Sequence, residues 1–166
     1  MKSILLFSAG KDSAACLWLL QPVWDDLEVV WVNPGEPHPL TSDYMAGIAK
    51  LVPHFREVRG QLQRQADHFQ CCGANLWPLI YQTVFDGEVE NAVSGVKKCD
   101  RLRSPLHRPG FEHAGVRHHF PVWDWSDEQV LAFLGPDRIP PSYQLGHKTS
   151  LDCVNCHAWE NAHVGI

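Results

Sequence analysis

Two groups of residues in this chain have types and spacings suited to chemistry. The first is the run Ser-Ala-Gly-Lys-Asp-Ser at residues 8–13, whose small residues permit a tight turn with converging backbone N–H groups. An oxyanion suits such a turn when a helix follows it and presents its positive end. The run matches neither the GxxxxGK[ST] nor the GxGxxG nucleotide loop. We predict a turn that binds phosphate or sulfate, with a ligand-free connection as the alternative.

The second group consists of four cysteines in two pairs. Cys71 and Cys72 are adjacent, and Cys153 and Cys156 form a C-x-x-C, with residues 73–152 between the pairs. Four thiolates brought together by a fold suit an iron–sulfur cluster or a tetrahedral zinc ion. An adjacent pair is unusual for zinc and is more easily accommodated on the separate iron atoms of a cluster. We therefore predict a cluster, with zinc and unligated thiols as alternatives.

The other two cysteines call for different interpretations. Cys16 lies in an apolar segment with helical periodicity, which predicts a core position. Cys99 lies between Lys98 and Asp100, where a neighbouring ammonium group favours the reactive thiolate. Cys99 is therefore a candidate nucleophile, although no partner for it is visible in the sequence.

A basic segment interrupts an otherwise acidic chain. The net charge is −5, yet residues 97–119 hold six Lys or Arg residues and four His against two acidic residues. Such a segment predicts either a solvated loop or an anion site for a nucleotide or a nucleic-acid backbone. The acidic remainder argues against general coating of DNA, because non-specific affinity grows with the number of phosphates neutralised. The six basic residues are Lys97, Lys98, Arg101, Arg103, Arg108 and Arg117.

Alternating strand and helix patterns position these groups. The predicted strands are Ser3–Phe7, Leu27–Asn33, His54–Val58, Glu90–Val96 and Phe120–Trp125. The predicted helices are Asp12–Leu20, about Thr41–Leu51, and a segment from the N-cap Ser126 to Leu134 that Gly135 and Pro136 end. This order predicts an α/β fold: a doubly wound domain with a mostly parallel five-stranded sheet and an irregular, cysteine-containing tail from Pro140.

Length and composition set the outer limits. With 166 residues, 45% of them hydrophobic, the chain is predicted to form one domain over residues 1–166 without covalent staples. Its longest apolar runs are too short for a membrane span, and Lys11 and Asp12 interrupt any signal-peptide core. We expect a cytoplasmic protein with reduced thiols and no membrane partner.

The ordered set of motifs resembles the phosphoadenosine phosphosulfate reductase family, within the superfamily of adenine-nucleotide alpha hydrolases. Residues 8–13 are similar to the SGGxDS pyrophosphate loop of the superfamily, with Ala9 in place of the first Gly. The spacing of the cysteines resembles the [4Fe–4S] signature of adenosine phosphosulfate reductases. The other matching segments are residues 93–98 with Asp100 and Arg101, residues 121–130, and residues 139–143.

The resemblance implies a site for an adenine nucleotide, which is adenosine phosphosulfate, its 3′-phosphorylated form or ATP, with Mg²⁺ if ATP is the substrate. The implied cluster ligands are the four paired cysteines. The implied nucleotide contacts are Ser8, Ala9, Gly10, Lys11, Asp12, Ser13 and Gly95. The implied catalytic residues, which neutralise the departing oxygens or attack, are Lys11, Lys97, Lys98, Cys99 and Arg101.

The chain also departs from the family pattern. It has no C-terminal cysteine motif after Cys156, and residues 73–77 lack the Arg-Lys pair that follows the adjacent cysteines in the family. We expect a sulfonucleotide reductase, an oxidoreductase in which Cys99 or a thiol of a reductant or partner protein attacks. The alternatives are an iron–sulfur sulfurtransferase that adenylates and thiolates tRNA or DNA, and a non-catalytic nucleotide-binding subunit held by a cluster or zinc.

Overall fold

The computed structural model describes residues 2–85, 88–102 and 108–156. Two short 3₁₀ turns, Gln21–Asp26 and Lys98–Leu102, accompany the strands and helices of this part. The strands are β1 Lys2–Leu6, β2 Leu27–Asn33, β3 Phe55–Arg59, β4 Val89–Val93, β5 Gly110–His113 and β6 Val116–His119. The helices are α1 Lys11–Leu19, α2 Pro39–Leu51, α3 His68–Asn75, α4 Trp77–Phe85, α5 Asp127–Arg138 and α6 Pro141–Gln144.

The described strands form one sheet in the order β3-β2-β1-β4-β6-β5. All neighbours pair in parallel except β5, which runs antiparallel to β6 at the edge. The order reverses between β1 and β4, and ligands of open α/β sheets bind in the crevice at the carboxyl ends of such strands. The predicted α/β class is confirmed, and the crevice falls where β1 runs into residues 8–13.

The central strands are buried on both faces. Leu5 and Val29 belong to a core cluster with α1, α2 and α5, whereas Ile4 and Val30 pack on the opposite face with Val84 of α4. This division follows from the period of two in a strand, which sends successive side chains to opposite faces. Helices cover both faces, as the predicted doubly wound arrangement requires.

The predicted fifth strand, Phe120–Trp125, is wrong, and the sheet has six strands in the described residues rather than five. The segment instead forms successive turns, in which the N–H of Trp123 bonds to the carbonyl of Phe120 and that of Trp125 to Val122. Pro121 has no N–H for a sheet ladder, which favours this outcome. The edge of the sheet is made by the β5–β6 hairpin.

The start and end of α5 agree with the sequence. Ser126 Oγ accepts the N–H of Gln129 at 3.2 Å, and the Gln129 side chain accepts the N–H of Ser126 at 2.8 Å, which forms a capping box. The backbone leaves helical geometry at Gly135, where φ is +61°.

No helix among the described residues is long and apolar enough to cross a membrane.

Candidate functional site

Residues 8–13 form a compact turn between β1 and α1. Ser13 Oγ donates to the carbonyl of Gly10 at 2.9 Å and accepts the N–H of Ser8 at 3.3 Å, and the hydroxyls of Ser8 and Ser13 lie 3.3 Å apart. Gly10 precedes α1 without a side-chain cap. The N–H groups at the start of α1 and two hydroxyls thus lie close together, an arrangement that suits an oxyanion.

Backbone conformation and a close contact define this turn. Ala9 has φ of +59°, in the left-handed region that costs a residue with a Cβ about 1–2 kcal/mol. Gly95, which follows β4, packs its backbone directly on the turn. A Cβ on Gly95 would lie 2.6 Å from both the carbonyl carbon of Asp12 and the nitrogen of Ser13. Glycine is therefore required at residue 95 for the loops after β1 and β4 to meet.

Four charged side chains form a closed network beside the turn. Lys11 Nζ lies 3.0 Å from Asp12 Oδ2 and 2.9 Å from Asp127 Oδ1. Lys97 Nζ lies 3.1 Å from Asp12 Oδ1 and also bonds Asp127 Oδ1. Two lysines and two aspartates thus cancel in charge, and each lysine contacts both carboxylates. We call these four residues the Lys–Asp network.

Burial decreases from one member of the network to the next. The exposed fraction of the side chain is 2% for Lys97, 11% for Lys11, 22% for Asp12 and 57% for Asp127. Burial alone lowers the pKa of Lys97, but its hydrogen bond to Asp127 and the charge of Asp12 outweigh burial and raise that pKa. The hydrogen bond from Lys97 lowers the pKa of Asp127. Lys97 and Asp127 therefore both stay charged at neutral pH.

The lowered pKa of Asp127 predicts a specific acid sensitivity. A carboxylate with a folded-state pKa below its ordinary value of 3.8 stabilises the fold fully above that value. The contribution is lost as pH falls through the folded pKa. We expect Asp127→Asn to lower the urea midpoint by a constant amount from pH 7 to 5, with the gap to wild type closing below about pH 4. A gap that persists unchanged to pH 3 would contradict this assignment.

The other predicted members of the basic group lie differently. Lys98 and Cys99 are exposed, and Cys99 Sγ lies 3.9 Å from Asp100 Oδ1. Arg101 belongs to the turn Lys98–Leu102, but its side chain lies outside the described part, as do residues 103–107. Asp100 Oδ2 accepts the N–H of Lys97 at 3.0 Å. Of the predicted catalytic lysines, the structure thus brings Lys11 and Lys97 to the turn.

The two cysteine pairs, separated by 80 residues in sequence, line a single pocket. Cys71 and Cys72 come from α3, and Cys153 and Cys156 come from the segment after α6. Burial is the main cause that raises the pKa of Cys72 to about 11 and that of Cys153 to about 12, and the other cysteines of the pocket add to both. Ser8 lines the same pocket. We call this space the cysteine pocket. Ser8 belongs to residues 8–13, which we call the phosphate turn after the ligand predicted from their sequence.

A backbone connection carries the C-x-x-C into place. Cys153 forms an antiparallel bridge with Pro37, and the N–H of His38 donates to the carbonyl of Asp152 at 3.2 Å. These bonds fasten residues near 152 to the loop after β2. The pocket therefore depends on contacts between distant parts of the chain.

Arg64 braces the same segment from the other side. Its Nη1 donates to the carbonyl of Asn155 at 3.1 Å, and its Nη2 donates to the carbonyl of Val154 at 2.7 Å. Nη2 also lies 2.7 Å from Glu36 Oε2. One guanidinium group thus holds both residues between the cysteines of the C-x-x-C.

The four thiols of the pocket are of a type that binds metal groups. Four cysteines suit zinc or an iron–sulfur cluster. Within residues 2–85, 88–102 and 108–156, however, no three His, Cys, Asp or Glu side chains are set as ligands of one ion. Residue types and their shared pocket carry the case for a metal, without a formed ligand sphere.

Three residues of the site were absent from the sequence predictions of function. Asp127 lies in the first turn of α5, where an acid is common for helix stability alone. His68 Nδ1 lies 3.8 Å from Cys72 Sγ and 3.6 Å from Cys156 Sγ. The i, i+3, i+4 spacing of His68, Cys71 and Cys72 would have indicated one helix face. No signal in the sequence pointed to Arg64, because its acceptors are backbone carbonyls 90 and 91 residues away.

Comparison with known proteins gives a short similarity. No protein-family model matches the chain. A 7-cyano-7-deazaguanine synthase of Sulfurihydrogenibium sp. (strain YO3AOP1) is 28% identical over 67 residues, which cover 34% of this chain and 30% of that protein. The chain therefore spans less than a third of the length of the curated relative that it matches. The similarity supports the adenine-nucleotide alpha hydrolase superfamily predicted from residues 8–13.

Proposed function

We propose that this protein is an ATP-dependent enzyme that adenylates an oxygen of an acceptor and then replaces it with sulfur. The observation that carries the proposal is the position of Ser8, which belongs both to the phosphate turn and to the wall of the cysteine pocket. The proposed phosphate site thus adjoins the thiols at which we propose that sulfur is handled. The similarity to a member of the nucleotide-using superfamily supports ATP as the substrate.

The proposed reaction has two displacements. The acceptor oxygen attacks the α-phosphorus of ATP, and the bond from that phosphorus to the bridging oxygen breaks, so pyrophosphate leaves with the electron pair. A hydrosulfide ion then attacks the acceptor carbon, its proton passes to water, and AMP leaves with the original oxygen and the electron pair of the broken bond. Lys11 and Lys97 neutralise the charge that develops on pyrophosphate, while the N–H groups of residues 10–13 and the Ser8 and Ser13 hydroxyls hold it.

The acceptor that we propose is a nucleic acid. The described part of the basic segment lies mainly on the β5–β6 hairpin, where His113, Arg117 and His119 are exposed, and Arg108, just before β5, is exposed as well. The N–H of Ser94, just after β4, donates to the carbonyl of His119 at the end of β6. The hairpin therefore reaches the carboxyl ends of the strands, the same end of the sheet at which the phosphate turn follows β1. A cationic surface beside the nucleotide site suits a polyanion in a chain of net charge −5.

Sulfonucleotide reduction is the second candidate. It is favoured by the meeting of the CC and CxxC pairs in one pocket, the arrangement that resembles the [4Fe–4S] reductases. The nucleophile would then be a reductant's thiol or Cys99, which is exposed and lies two residues after Lys97. Production of sulfite from adenosine phosphosulfate by the purified protein with a dithiol distinguishes this candidate.

Pyrophosphate release tests the main proposal. We expect anaerobically purified protein to convert ATP to AMP and pyrophosphate in the presence of total tRNA or single-stranded DNA, with little release when nucleic acid is omitted. ATP turnover to ADP, or sulfite formation from adenosine phosphosulfate without any AMP from ATP, would contradict it. Lys50 is an exposed lysine of α2. The variant Lys50→Met is the control for the effect of losing one positive charge away from the site.

The cysteine pocket yields a prediction on metal content. As a proposal, Cys71, Cys72, Cys153 and Cys156 hold a [4Fe–4S] cluster, with zinc as the alternative occupant. We expect Cys153→Ser to lower the affinity for the metal group at least about tenfold, because even the loss of a group that only supports a ligand commonly costs about 10–100-fold. The variant should therefore retain less metal per chain than wild type after dialysis against a chelator. Cys99→Ser, which removes an exposed thiol, should leave it unchanged. Equal iron, sulfide and zinc in both variants would contradict the pocket as the metal site.

A further inference from the structure

The outermost member of the Lys–Asp network, Asp127, lies on the solvent side of the two lysines. A single oxygen of Asp127, Oδ1, accepts hydrogen bonds from the ammonium groups of both Lys11 and Lys97. Its side chain is 57% exposed, whereas both lysines are nearly buried. One carboxylate oxygen that bridges two ammonium groups makes the same contacts as an oxygen of a bound phosphate.

Local structure fixes Asp127 in that position. It is the first residue of α5, and the capping box of Ser126 and Gln129 sets the start of that helix. α5 packs against α1, whose first residue is Lys11, through buried Val130 and Leu134 of the core cluster. The carboxylate is therefore presented to the lysines by packed elements and not by a loose loop.

The charge balance makes this contact consequential. With Asp12 and Asp127 in place, the two lysines are already neutralised, so the network offers no net positive charge to an anion. Asp12 binds both lysines and is more buried, whereas Asp127 contributes a single oxygen from the solvent side. Displacing Asp127 therefore costs less free energy than displacing Asp12, and an anion that binds the two lysines is expected to displace Asp127.

We propose that Asp127 is a placeholder that holds Lys11 and Lys97 in position in the empty site and yields them to the phosphates of the nucleotide. It is a positioning residue that acts through the lysines. Only the identity of the ligand, a nucleotide phosphate, rests on the proposed function. A carboxylate that must be displaced also discriminates among ligands. Di- and triphosphates, which carry enough charge to compete for both lysines, are selected over monoanions.

Binding of inorganic pyrophosphate tests the placeholder, because it needs no acceptor, metal group or turnover. In magnesium-free buffer, we expect Asp127→Asn to bind pyrophosphate about tenfold more tightly than wild type in calorimetric titration, since a competing unit charge is removed within a few ångströms. Glu128→Gln, the exposed neighbour in the same helical turn, should bind within about twofold of wild type. A merely structural role for Asp127 predicts weaker binding.

Thermal unfolding supplies a second measurement. Asp127→Asn and Asp127→Ser should each unfold at a lower temperature than wild type without ligand, and pyrophosphate should raise the unfolding temperature of each by more than it raises that of wild type. At least one of the two variants needs to fold, and serine is a favourable residue at the start of a helix.

The outcomes separate this inference from the proposed function. Equal or weaker pyrophosphate binding by a folded Asp127 variant overturns the placeholder, whatever the enzyme's reaction. A loss of affinity confined to magnesium-containing buffer would make Asp127 a cation ligand and also overturns it. Tighter pyrophosphate binding by the Asp127 variants supports the placeholder. If the wild-type protein in the same study forms no AMP from ATP, that result overturns the proposed adenylation and leaves the placeholder standing.

Discussion

Replacing Lys97 with methionine should reduce ATP-dependent pyrophosphate release about 100- to 1,000-fold, the loss typical when one group that stabilises developing charge is removed. Lys97 is almost fully buried, contacts both aspartates of the Lys–Asp network and follows the strand that borders the crevice. Methionine keeps the length and apolar stem of the side chain without its charge. The measurement is AMP formation under saturating nucleic acid, with circular dichroism to confirm folding.

Lys98→Met provides the matched comparison. Lys98 has the same charge one residue later, but its side chain is exposed, and its backbone N–H donates to the carbonyl of Trp123 at 2.7 Å. We expect its loss to change the rate by less than about threefold, as for an exposed charge screened by water. Equal losses in the two variants would show that the basic segment acts through its overall charge, and would contradict a specific role for Lys97.

Gly95→Ala should destabilise the fold by about 3 kcal/mol, since overpacking against a fixed neighbour commonly costs that much. The added methyl group would lie 2.6 Å from backbone atoms of Asp12 and Ser13, which cannot rotate away as a side chain can. The phosphate turn has to shift to relieve the contact. We therefore expect loss of pyrophosphate binding in calorimetry together with a lower urea midpoint.

Gly47→Ala is the control for this substitution. Gly47 is an exposed residue inside α2, and a Cβ there would meet no atom within 4 Å. Alanine in an exposed helix interior stabilises by about 0.5–1 kcal/mol relative to glycine. The two variants should therefore shift the urea midpoint in opposite directions. A midpoint for Gly95→Ala equal to that of wild type would contradict the close approach of the two loops.

The parts of the fold that could be predicted are those with a local cause. The apolar run of β1 and the small residues after it are contiguous, so the strand and the turn both follow from neighbouring residues. Ser126 and Gln129 are three residues apart, and the capping box formed as that spacing predicts. Phe120–Trp125 failed because its apolar and aromatic residues fit a buried turn as well as a strand.

The site depends more on tertiary contacts, and these set the limit of the sequence analysis. An acid in the first turn of a helix is favoured by the helix dipole, which already explains an aspartate at residue 127. Nothing local therefore pointed to its bond with Lys97, 30 residues away. The four cysteines were recognised from residue type, but the sharing of their pocket with Ser8 is a product of the sheet order. α3, which carries Cys71 and Cys72, has no charged residue to mark an outer face.

The bridge between Pro37 and Cys153 has a consequence for the order of events during synthesis. The adjacent thiols of α3 leave the ribosome 84 residues before Cys156 does. At about 5–20 residues per second, this interval lasts roughly 4–17 s. During that time β1, β2 and β3 are available to pair, whereas the second pair of cysteines does not yet exist. For the proposed metal site to form, the thiols of Cys71 and Cys72 have to stay reduced on the nascent chain until the C-x-x-C docks. Under that proposal, we expect the yield of intact sites to fall when oxidants are present during translation.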